Sequence, residues 1–357
     1  MMDVKTLQDR IRGSLVGGAA GDALGYPLEF ARSQEEIRRI CDIGRQSFSG
    51  HCSGWGNRGM DEGDGYALIS DDTQMTLYTA YGLLKAAGKA EAFLPCIRDA
   101  YIEWYLGQVG WRKVLDASCW LRTVPGLNER RAPGNTCLMA LKELFEQRTP
   151  VNYSKGCGGV MRIAPVPLYA VSRGWEDSEA VVRLAAEASR LTHQHPLGYL
   201  PAAVLAYLIL RLVTDERPTR NALKNYVAES VALVRTLYAE HSAEMDVLQQ
   251  LLEKAVELSA STLTDVHAIG LLGEGWVAEE TLAIALYCSL KYFGAFDKAL
   301  VAAVAHPGDS DSTGAVTGNI LGAAIGYAAL PRCIATTLEH HDIVLRIADE
   351  LSARTGS

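Results

Sequence analysis

Two segments of the chain, GSLVGGAAGDALG near the N-terminus and GAVTGNILGAAIG near the C-terminus, repeat glycine at every fourth position. Residues four apart share one face of an α-helix, and glycine costs about 1 kcal/mol relative to alanine inside a helix. The eight glycines therefore need a packing reason, and each stripe predicts a flat helix face that another backbone approaches closely. The glycines of the two stripes are Gly13, Gly17, Gly21 and Gly25, and Gly314, Gly318, Gly322 and Gly326.

The two stripes are open to two interpretations. They are either two unrelated buried helices, each with its own neighbour, or two helices that face each other. If they face each other and run antiparallel, Glu29 just past the first stripe lies beside Asp309 and Asp311 just before the second. The second interpretation thus predicts a cluster of carboxylates.

The rest of the chain also has helical periodicity, whereas alternating strand patterns and Asn-Gly hairpins are nearly absent. We expect an all-α fold, a single compact, orthogonally packed multi-helix domain over residues 1–357, because no linker or low-complexity segment divides the chain. The glycine-rich stretch from Gly44 to Gly65 is predicted to be a long surface loop near the active face. The predicted helices span residues 5–24, 72–88, 92–107, 136–147, 157–171, 178–194, 197–214, 219–239, 243–259, 279–293, 296–304, 312–328 and 338–352.

Composition excludes several classes of protein. With 48% hydrophobic and 21% charged residues the chain can build a large core, and its formal charge of −8 argues against a general nucleic-acid or membrane-surface role. A local basic pocket could still hold a phosphate. Eight scattered cysteines without a CxxC pair, and an N-terminus unlike a secretory signal, predict a cytoplasmic protein with free thiols. The longest apolar stretches fall short of the roughly 20 residues that span a bilayer, so we expect no membrane span.

Two acidic motifs stand at predicted helix starts. In HPGDSDSTGAVTGN, Asp309 and Asp311 precede the second glycine stripe, and in ALISDDTQM, Ser70, Asp71 and Asp72 precede another helix. N-capping alone accounts for either motif. Two close carboxylates repel unless a cation lies between them, however, and hard divalent cations prefer carboxylate and hydroxyl oxygens. No cysteine or histidine lies between the acidic residues of either motif, which disfavours zinc and iron. Together the motifs predict a site for two Mg²⁺ or Mn²⁺ ions.

A third candidate is the small-residue loop in NYSKGCGGVMRIAPVPL, residues 154–159, which is predicted to lead directly into a helix. Free backbone N–H groups there could receive phosphate oxygens, or the glycines could simply allow a tight loop. Arg162 beyond it is either a ligand contact or a structural ion-pair partner. Four aromatic residues are candidates for stacking an adenine ring or, alternatively, for core packing, namely Tyr101, Trp104, Trp111 and Trp120.

The segments GGAAGDALGYPLEF, SDDTQM, SKGCGGVMR, LTHQHP and GDSDSTGAVTGNILGA occur in the order and rough spacing of the ADP-ribosylglycohydrolase family, which the chain resembles from about Gly13 to Gly326. The resemblance implies an all-α fold, a dinuclear Mg²⁺ or Mn²⁺ centre, and removal of ADP-ribose from modified side chains or small molecules. Serine stands at positions 70 and 312, where many members of the family carry threonine. Both residues have the hydroxyl group, so we expect coordination to survive.

The resemblance also implies roles for individual residues. Glu29 matches an acidic residue that in some members moves between metal and substrate, and Asp311 is the expected bridge between the ions. The implied metal ligands are Ser70, Asp71, Asp72, Asp309, Asp311 and Ser312. The implied ADP-ribose contacts are Gly134, Asn135, Thr136, Ser154, Gly156, Cys157, Gly158, Gly159, Met161 and His193.

We therefore predict a metal-dependent hydrolase that removes ADP-ribose from mono-ADP-ribosylated protein side chains. The resemblance to bacterial members favours arginine linkages, and a role in immunity against an ADP-ribosylating toxin is one setting. Glycosidic cleavage passes through an oxocarbenium-like state and needs a placed water and an oriented ribose. Asp72 or Asp309 is the candidate base, while Glu29 orients the ribose or assists the leaving group.

Other functions fit parts of the sequence. A non-catalytic protein could bind ADP-ribose, or could block a cognate ADP-ribosyltransferase through the loop GHCSGWGNRGMDEGDGY or the N-terminal residues. An all-α metal phosphohydrolase could use His340, His341 and Asp342, but the acidic motifs would then be unexplained. His193 and His195 are a poor metal pair, because His-x-His at a helix end turns the two rings apart.

Overall fold

The computed structural model describes residues 3–40 and 67–353. The secondary structure of these residues is helical, and their only strand-like pairings are isolated bridges between Ala67 and Leu338 and between Gly156 and Val277. The all-α prediction is confirmed, while the loop predicted at Gly44–Gly65 lies outside the described residues. The α-helices are α1 Val4–Gly25, α2 Gln34–Ile40, α3 Asp71–Lys85, α4 Phe93–Gln108, α5 Asn135–Phe145, α6 Pro165–Ser172, α7 Ser178–Arg190, α8 Pro196–Thr214, α9 Arg220–Leu237, α10 Ser242–Leu258, α11 Asp265–Gly270, α12 Ala278–Lys291, α13 Phe296–Val304, α14 Ser310–Ile325, α15 Ile334–Thr337 and α16 His341–Ser352.

The predicted helix over residues 157–171 is wrong in its first half. Cys157–Gly159 forms a single 3-10 turn, and α6 begins only at Pro165. Proline lacks an N–H and fixes its φ angle, so it suits the first turn of a helix and disrupts the interior. The short helices α2, α11 and α15 were not predicted, because four to seven residues carry too little periodicity.

The two glycine stripes pack against each other, which is the second of the two interpretations. A side chain at Gly13 would collide with the backbone of Gly322, and one at Gly25 with the backbone of Ser310, at the opposite end of α14. Helix α1 therefore runs antiparallel to α14, and this central pair is not orthogonal. The arrangement brings Glu29, four residues beyond the end of α1, to the N-terminus of α14.

Helix α8 is the most apolar long helix of the described chain. By length and composition its 19 residues could cross a membrane, but 89% of its most apolar window is buried among the other helices. The helix is nearly long enough to span a bilayer, whereas the sequence analysis expected no segment of that length. The burial is that of a core helix, and α8 contacts both α7 and α14.

Candidate active site

The two acidic motifs are built at the N-termini of α3 and α14. Ser70 caps α3 by accepting the Asp72 N–H at 3.2 Å, and Asp71 and Asp72 form the buried first turn. Asp309 caps α14 by accepting the Ser312 N–H at 3.4 Å. Both motifs therefore cap their helices, and the positive end of each helix dipole partly compensates the buried carboxylates.

Both motifs open into one cleft with a cavity volume of about 210 Å³, here called the acidic cleft. Most of the predicted site residues line it, whereas Ser70, Ser154 and Gly159 lie behind its wall. Glu29 stands beside Asp309 and Asp311, as the antiparallel packing predicted. The lining residues are Glu29, Asp71, Asp72, Ala132, Gly134, Asn135, Thr136, Cys137, Gly156, Cys157, Gly158, Met161, His193, Trp276, Asp309, Asp311 and Ser312.

The carboxylates of the acidic cleft repel one another and are poorly solvated. Burial, followed by repulsion from Asp311 and Asp309, raises the pKa of Glu29 to about 11. Burial and Asp311 also raise the pKa values of Asp71 and Asp72 well above their usual range. Glu29 Oε2 and Asp72 Oδ2 are buried without a hydrogen-bond partner. Such a cluster has excess negative charge and unused oxygen lone pairs, which suits a bound cation.

Among the described residues, no three of the His, Cys, Asp and Glu side chains converge on a single point at metal-ligand distance. The structure thus brings the predicted ligands other than Ser70 to the lining of one cleft, and the two bound ions stay a prediction.

Asp22 is a site residue that the sequence prediction missed. It projects from α1 and is fully buried, where it accepts the Ser70 and Thr73 N–H groups at 3.1 Å and the Thr73 hydroxyl. Burial and repulsion from Asp311 raise the pKa of Asp22 to about 7. A signal was available, because Asp22 is the one charged residue in the first glycine stripe. Its role is to hold the start of α3 against α1.

A second support lies behind Asp71. The Asp71 N–H donates to the Arg131 carbonyl at 3.0 Å, and Arg131 pairs with Glu339 at 3.0 Å. Glu339 also accepts the Ile69 N–H at 3.1 Å. Gly134 donates its N–H to Asp71 Oδ2 at 3.3 Å, so the predicted ribose-contact segment touches the acidic motif directly.

The small-residue loop also lines the acidic cleft, and its Cys157 thiol lies close to Asp309. Its Gly156 N–H donates to Ser154 Oγ at 3.3 Å, and its Cys157 N–H donates to the Trp276 carbonyl at 3.2 Å. These two amides are therefore not free for a ligand, and no helix begins directly at the loop. Gly158 lines the cleft with the His193 ring beneath it. The predicted phosphate contact thus depends on Gly158 and His193 more than on a helix dipole.

The structure favours packing over adenine stacking for the four aromatic candidates. Tyr101 and Trp104 are fully buried, Trp111 packs on Phe145, and Trp120 lies under Arg346, all away from the cleft lining. The aromatic residue that does line the cleft is Trp276. Its ring stacks on Phe30 with centroids 6.1 Å apart and planes 22° apart, and the two side chains are 39% and 65% exposed. Trp276 lies in a loop without periodicity, so no local pattern marked it.

The other candidate metal-binding histidines have structural contacts. His195 caps α8, with Nδ1 accepting the Leu197 N–H at 2.9 Å. His341 Nε2 lies 3.0 Å from the Tyr327 hydroxyl, and His340 lies beside Glu339. Neither His340 nor His341 lines the acidic cleft, which removes the geometric basis of the phosphohydrolase alternative.

Comparison with known proteins agrees with the resemblance seen in the motifs. The sequence profile of the ADP-ribosylglycohydrolase family matches residues 3–357. The chain is 24% identical to ADP-ribosylhydrolase ARH1 of Dictyostelium discoideum, over 97% of this chain and 94% of that protein. It is 26% identical to ADP-ribosyl-dinitrogen reductase glycohydrolase of Rhodospirillum rubrum, over 91% and 89%. A solved structure titled ADP-ribosylglycohydrolase-related protein complex matches 98% of both chains with a TM-score of 0.63 at 23% identity, which shows a common fold.

Proposed function

The chain belongs to the ADP-ribosylglycohydrolase family, and from that premise we propose that it hydrolyses the N-glycosidic bond of ADP-ribosylated arginine side chains. One observation carries the proposal. The acidic cleft is lined by a cluster of buried carboxylates and by a glycine loop with a buried histidine. Such a cleft suits a ligand with ribose hydroxyls at one end and a diphosphate at the other.

Two Mg²⁺ or Mn²⁺ ions fit the donor set of the acidic cleft. The residues that would hold them are Ser70, Asp71, Asp72, Asp309, Asp311 and Ser312. The supporting observation is the unpartnered, buried oxygens of Glu29 and Asp72 within a cluster of raised carboxyl pKa values. Bound ions would supply Lewis acidity and orient the ribose hydroxyls.

The protein side chains divide the proton transfers between them. We assign the general base to Asp72, because its Oδ2 is unpartnered, whereas Asp309 is engaged with the Ser312 N–H and with Asp311. Glu29, at the end of the cleft nearest the aromatic pair, orients the ribose or assists the leaving group. Burial keeps bulk water from competing for these groups.

Arginine is favoured as the leaving group by the surface next to Glu29. The stacked pair of Phe30 and Trp276, together with the nearby carboxylates, suits a planar guanidinium, which stacks on aromatic faces and pairs with anions. A neutral serine hydroxyl would gain less from this surface.

We further propose that the enzyme acts in the cytoplasm on proteins modified by a cognate ADP-ribosyltransferase, with toxin immunity as one setting. Cys96, Cys119, Cys137, Cys157 and Cys288 form no disulfides, which agrees with a reducing compartment. The loop predicted to contact a transferase lies outside the described residues.

The experiment that tests the proposal measures free ADP-ribose released from mono-ADP-ribosylarginine protein with Mg²⁺, with Mn²⁺ and with chelator. Asp311→Ala is expected to abolish release, whereas Asp99→Ala, on the exposed side of α4, should leave it unchanged. Wild-type release in Asp311→Ala, or full activity in chelator, would overturn the metal-dependent mechanism. Release from ADP-ribosylserine but not from ADP-ribosylarginine would instead overturn the assigned linkage.

A further inference from the structure

Arg162 is a fully buried arginine next to the acidic cleft that forms no ion pair within the described part of the chain. One guanidinium nitrogen lies 3.4 Å from the sulfur atoms of Met75 and Cys137, and the Tyr101 ring lies 4.3 Å from the guanidinium carbon. The other terminal nitrogen donates to Thr192 Oγ1 at 2.6 Å. A buried charge without a counter-ion costs several kcal/mol, so this one requires a reason.

Thr192 links this arginine to His193. Arginine has no hydrogen-bond acceptor, so the Thr192 hydroxyl must accept from Arg162, and its own proton remains available for donation. Its possible acceptors are His193 Nδ1 at 2.8 Å, the Ser189 carbonyl at 3.4 Å and the nearby Cys137 sulfur. The shorter contact favours the imidazole. Nδ1 is then an acceptor, and the ring proton of neutral His193 resides on Nε2.

His193 Nε2 faces the glycine loop of the acidic cleft. A β-carbon at Gly156 would lie 3.3 Å from Nε2, and one at Gly158 would lie 3.2 Å from it. Both glycines line the cleft, and Nε2 has no acceptor among the described residues. The absence of side chains at these two positions therefore leaves room for a ligand oxygen above the nitrogen. Burial and the nearby Arg162 charge lower the pKa of His193 to about 3, so the ring stays neutral at physiological pH.

We propose that Arg162 and Thr192 are positioning residues that hold His193 as its Nε2–H tautomer, which donates to a phosphate oxygen of ADP-ribose seated on the glycine loop. The chain of donors runs from Arg162 through Thr192 to His193 and ends at the ligand. The unpaired Arg162 charge also raises the potential at the diphosphate from beneath. The ligand in this proposal rests on the proposed function, whereas the tautomer is a property of the ligand-free protein.

The tautomer is tested by nitrogen-15 NMR of the full chain labelled at histidine, with the His193 signals assigned by their loss in His193→Gln. The wild-type ring is expected to carry its proton on Nε2. Thr192→Val removes the hydroxyl at nearly constant volume and is expected to abolish this preference, while Thr192→Ser restores it. A wild-type ring protonated on Nδ1 would overturn the relay, whatever the protein binds.

The functional consequence is tested by calorimetric titration with ADP-ribose. Thr192→Val is expected to weaken binding about tenfold, and Thr192→Ser to bind within about twofold of wild type. Unchanged affinity in Thr192→Val, with Nε2–H confirmed in the wild type, would overturn the contact with the ligand. Failure of the wild type to bind ADP-ribose would count against both the proposed function and this contact, and NMR would still decide the relay. Should Thr192→Val fail to fold, the wild-type spectrum and Thr192→Ser carry the test.

Discussion

Gly17→Ala perturbs the contact between α1 and α14 at its centre. The added methyl carbon would lie 2.6 Å from the Gly318 carbonyl oxygen, and 3.3 Å from both the Gly318 carbonyl carbon and a ring carbon of Phe296. Ordinary contact begins near 3.4 Å, so the helices must separate locally by about 0.8 Å. The obstructing atoms are backbone, which places the cost near the upper end of the overpacking range, about 3 kcal/mol. The better helix propensity of alanine returns about 1 kcal/mol.

The expected net loss of about 2 kcal/mol is measured by thermal unfolding. An unfolding entropy of about 2.1 cal/mol/K per residue converts it to a fall in Tm of about 3 °C for a chain of this length. Gly270→Ala is the matched control, because Gly270 ends the short helix α11 and a methyl group there would meet no atom within 4 Å. Its Tm should equal or exceed that of the wild type. The reasoning is refuted if Gly17→Ala unfolds at or above the wild-type temperature.

Three further outcomes follow from the site. Asp22→Ala leaves the buried Ser70 and Thr73 amides without an acceptor, so its free energy of unfolding, measured with denaturant, should fall by about 1–3 kcal/mol. Asp22→Asn should lose less stability, because its amide oxygen still accepts. Equal losses in the two variants would show that these hydrogen bonds contribute nothing. The folded-state pKa of His193 is about 3 and the unfolded value is about 6.5, so the unfolded state gains a proton as pH falls below 6.5 and stability falls with it. Between pH 7 and pH 5 the wild type should lose about 2 kcal/mol more than His193→Gln, and parallel unfolding curves would contradict the buried neutral imidazole. Trp276→Ala should raise KM for ADP-ribosylarginine while leaving the affinity for ADP-ribose nearly unchanged. An equal effect on both would show that Trp276 contacts the nucleotide and not the arginine.

The parts of the fold that were predictable from the sequence depend on local rules. Glycine at every fourth residue marks a helix face and limits what packs on it, so the spacing predicted close backbone packing and left the pairing of α1 with α14 as one of two interpretations. Asp309 and Ser70 sit at helix starts because their side chains cap free N–H groups, and this preference is visible within four residues. The position of Glu29 then followed from the antiparallel register.

The missed features depend on distant contacts or on an overlooked local signal. Asp22 is separated from Ser70 by 48 residues, and only the packing of α1 against α3 reveals why a charge stands in a stripe of small residues. Trp276 reaches the cleft because the neighbouring Glu274 carbonyl accepts the Asp309 N–H at 2.9 Å, a contact without a sequence pattern. The error over residues 157–171 was avoidable, since Pro165 marks a helix start.

The packing of α1 against α14 also opposes the repulsion between the carboxylates of the acidic cleft. Asp22 lies in α1 and Glu29 follows it, and when ionised both repel Asp311 of α14, so ionisation of the cluster pushes the two helices apart. The interlocked glycines oppose this separation, as do the reciprocal hydrogen bonds from Ser14 Oγ to the Asn319 carbonyl and from Asn319 Nδ2 to the Ser14 carbonyl, at 3.0 and 2.8 Å. Glycine is therefore needed at the stripes for more than fit, because a looser helix pair would let the carboxylates relax away from one another. The glycine stripes keep the carboxylates close enough to share a cation.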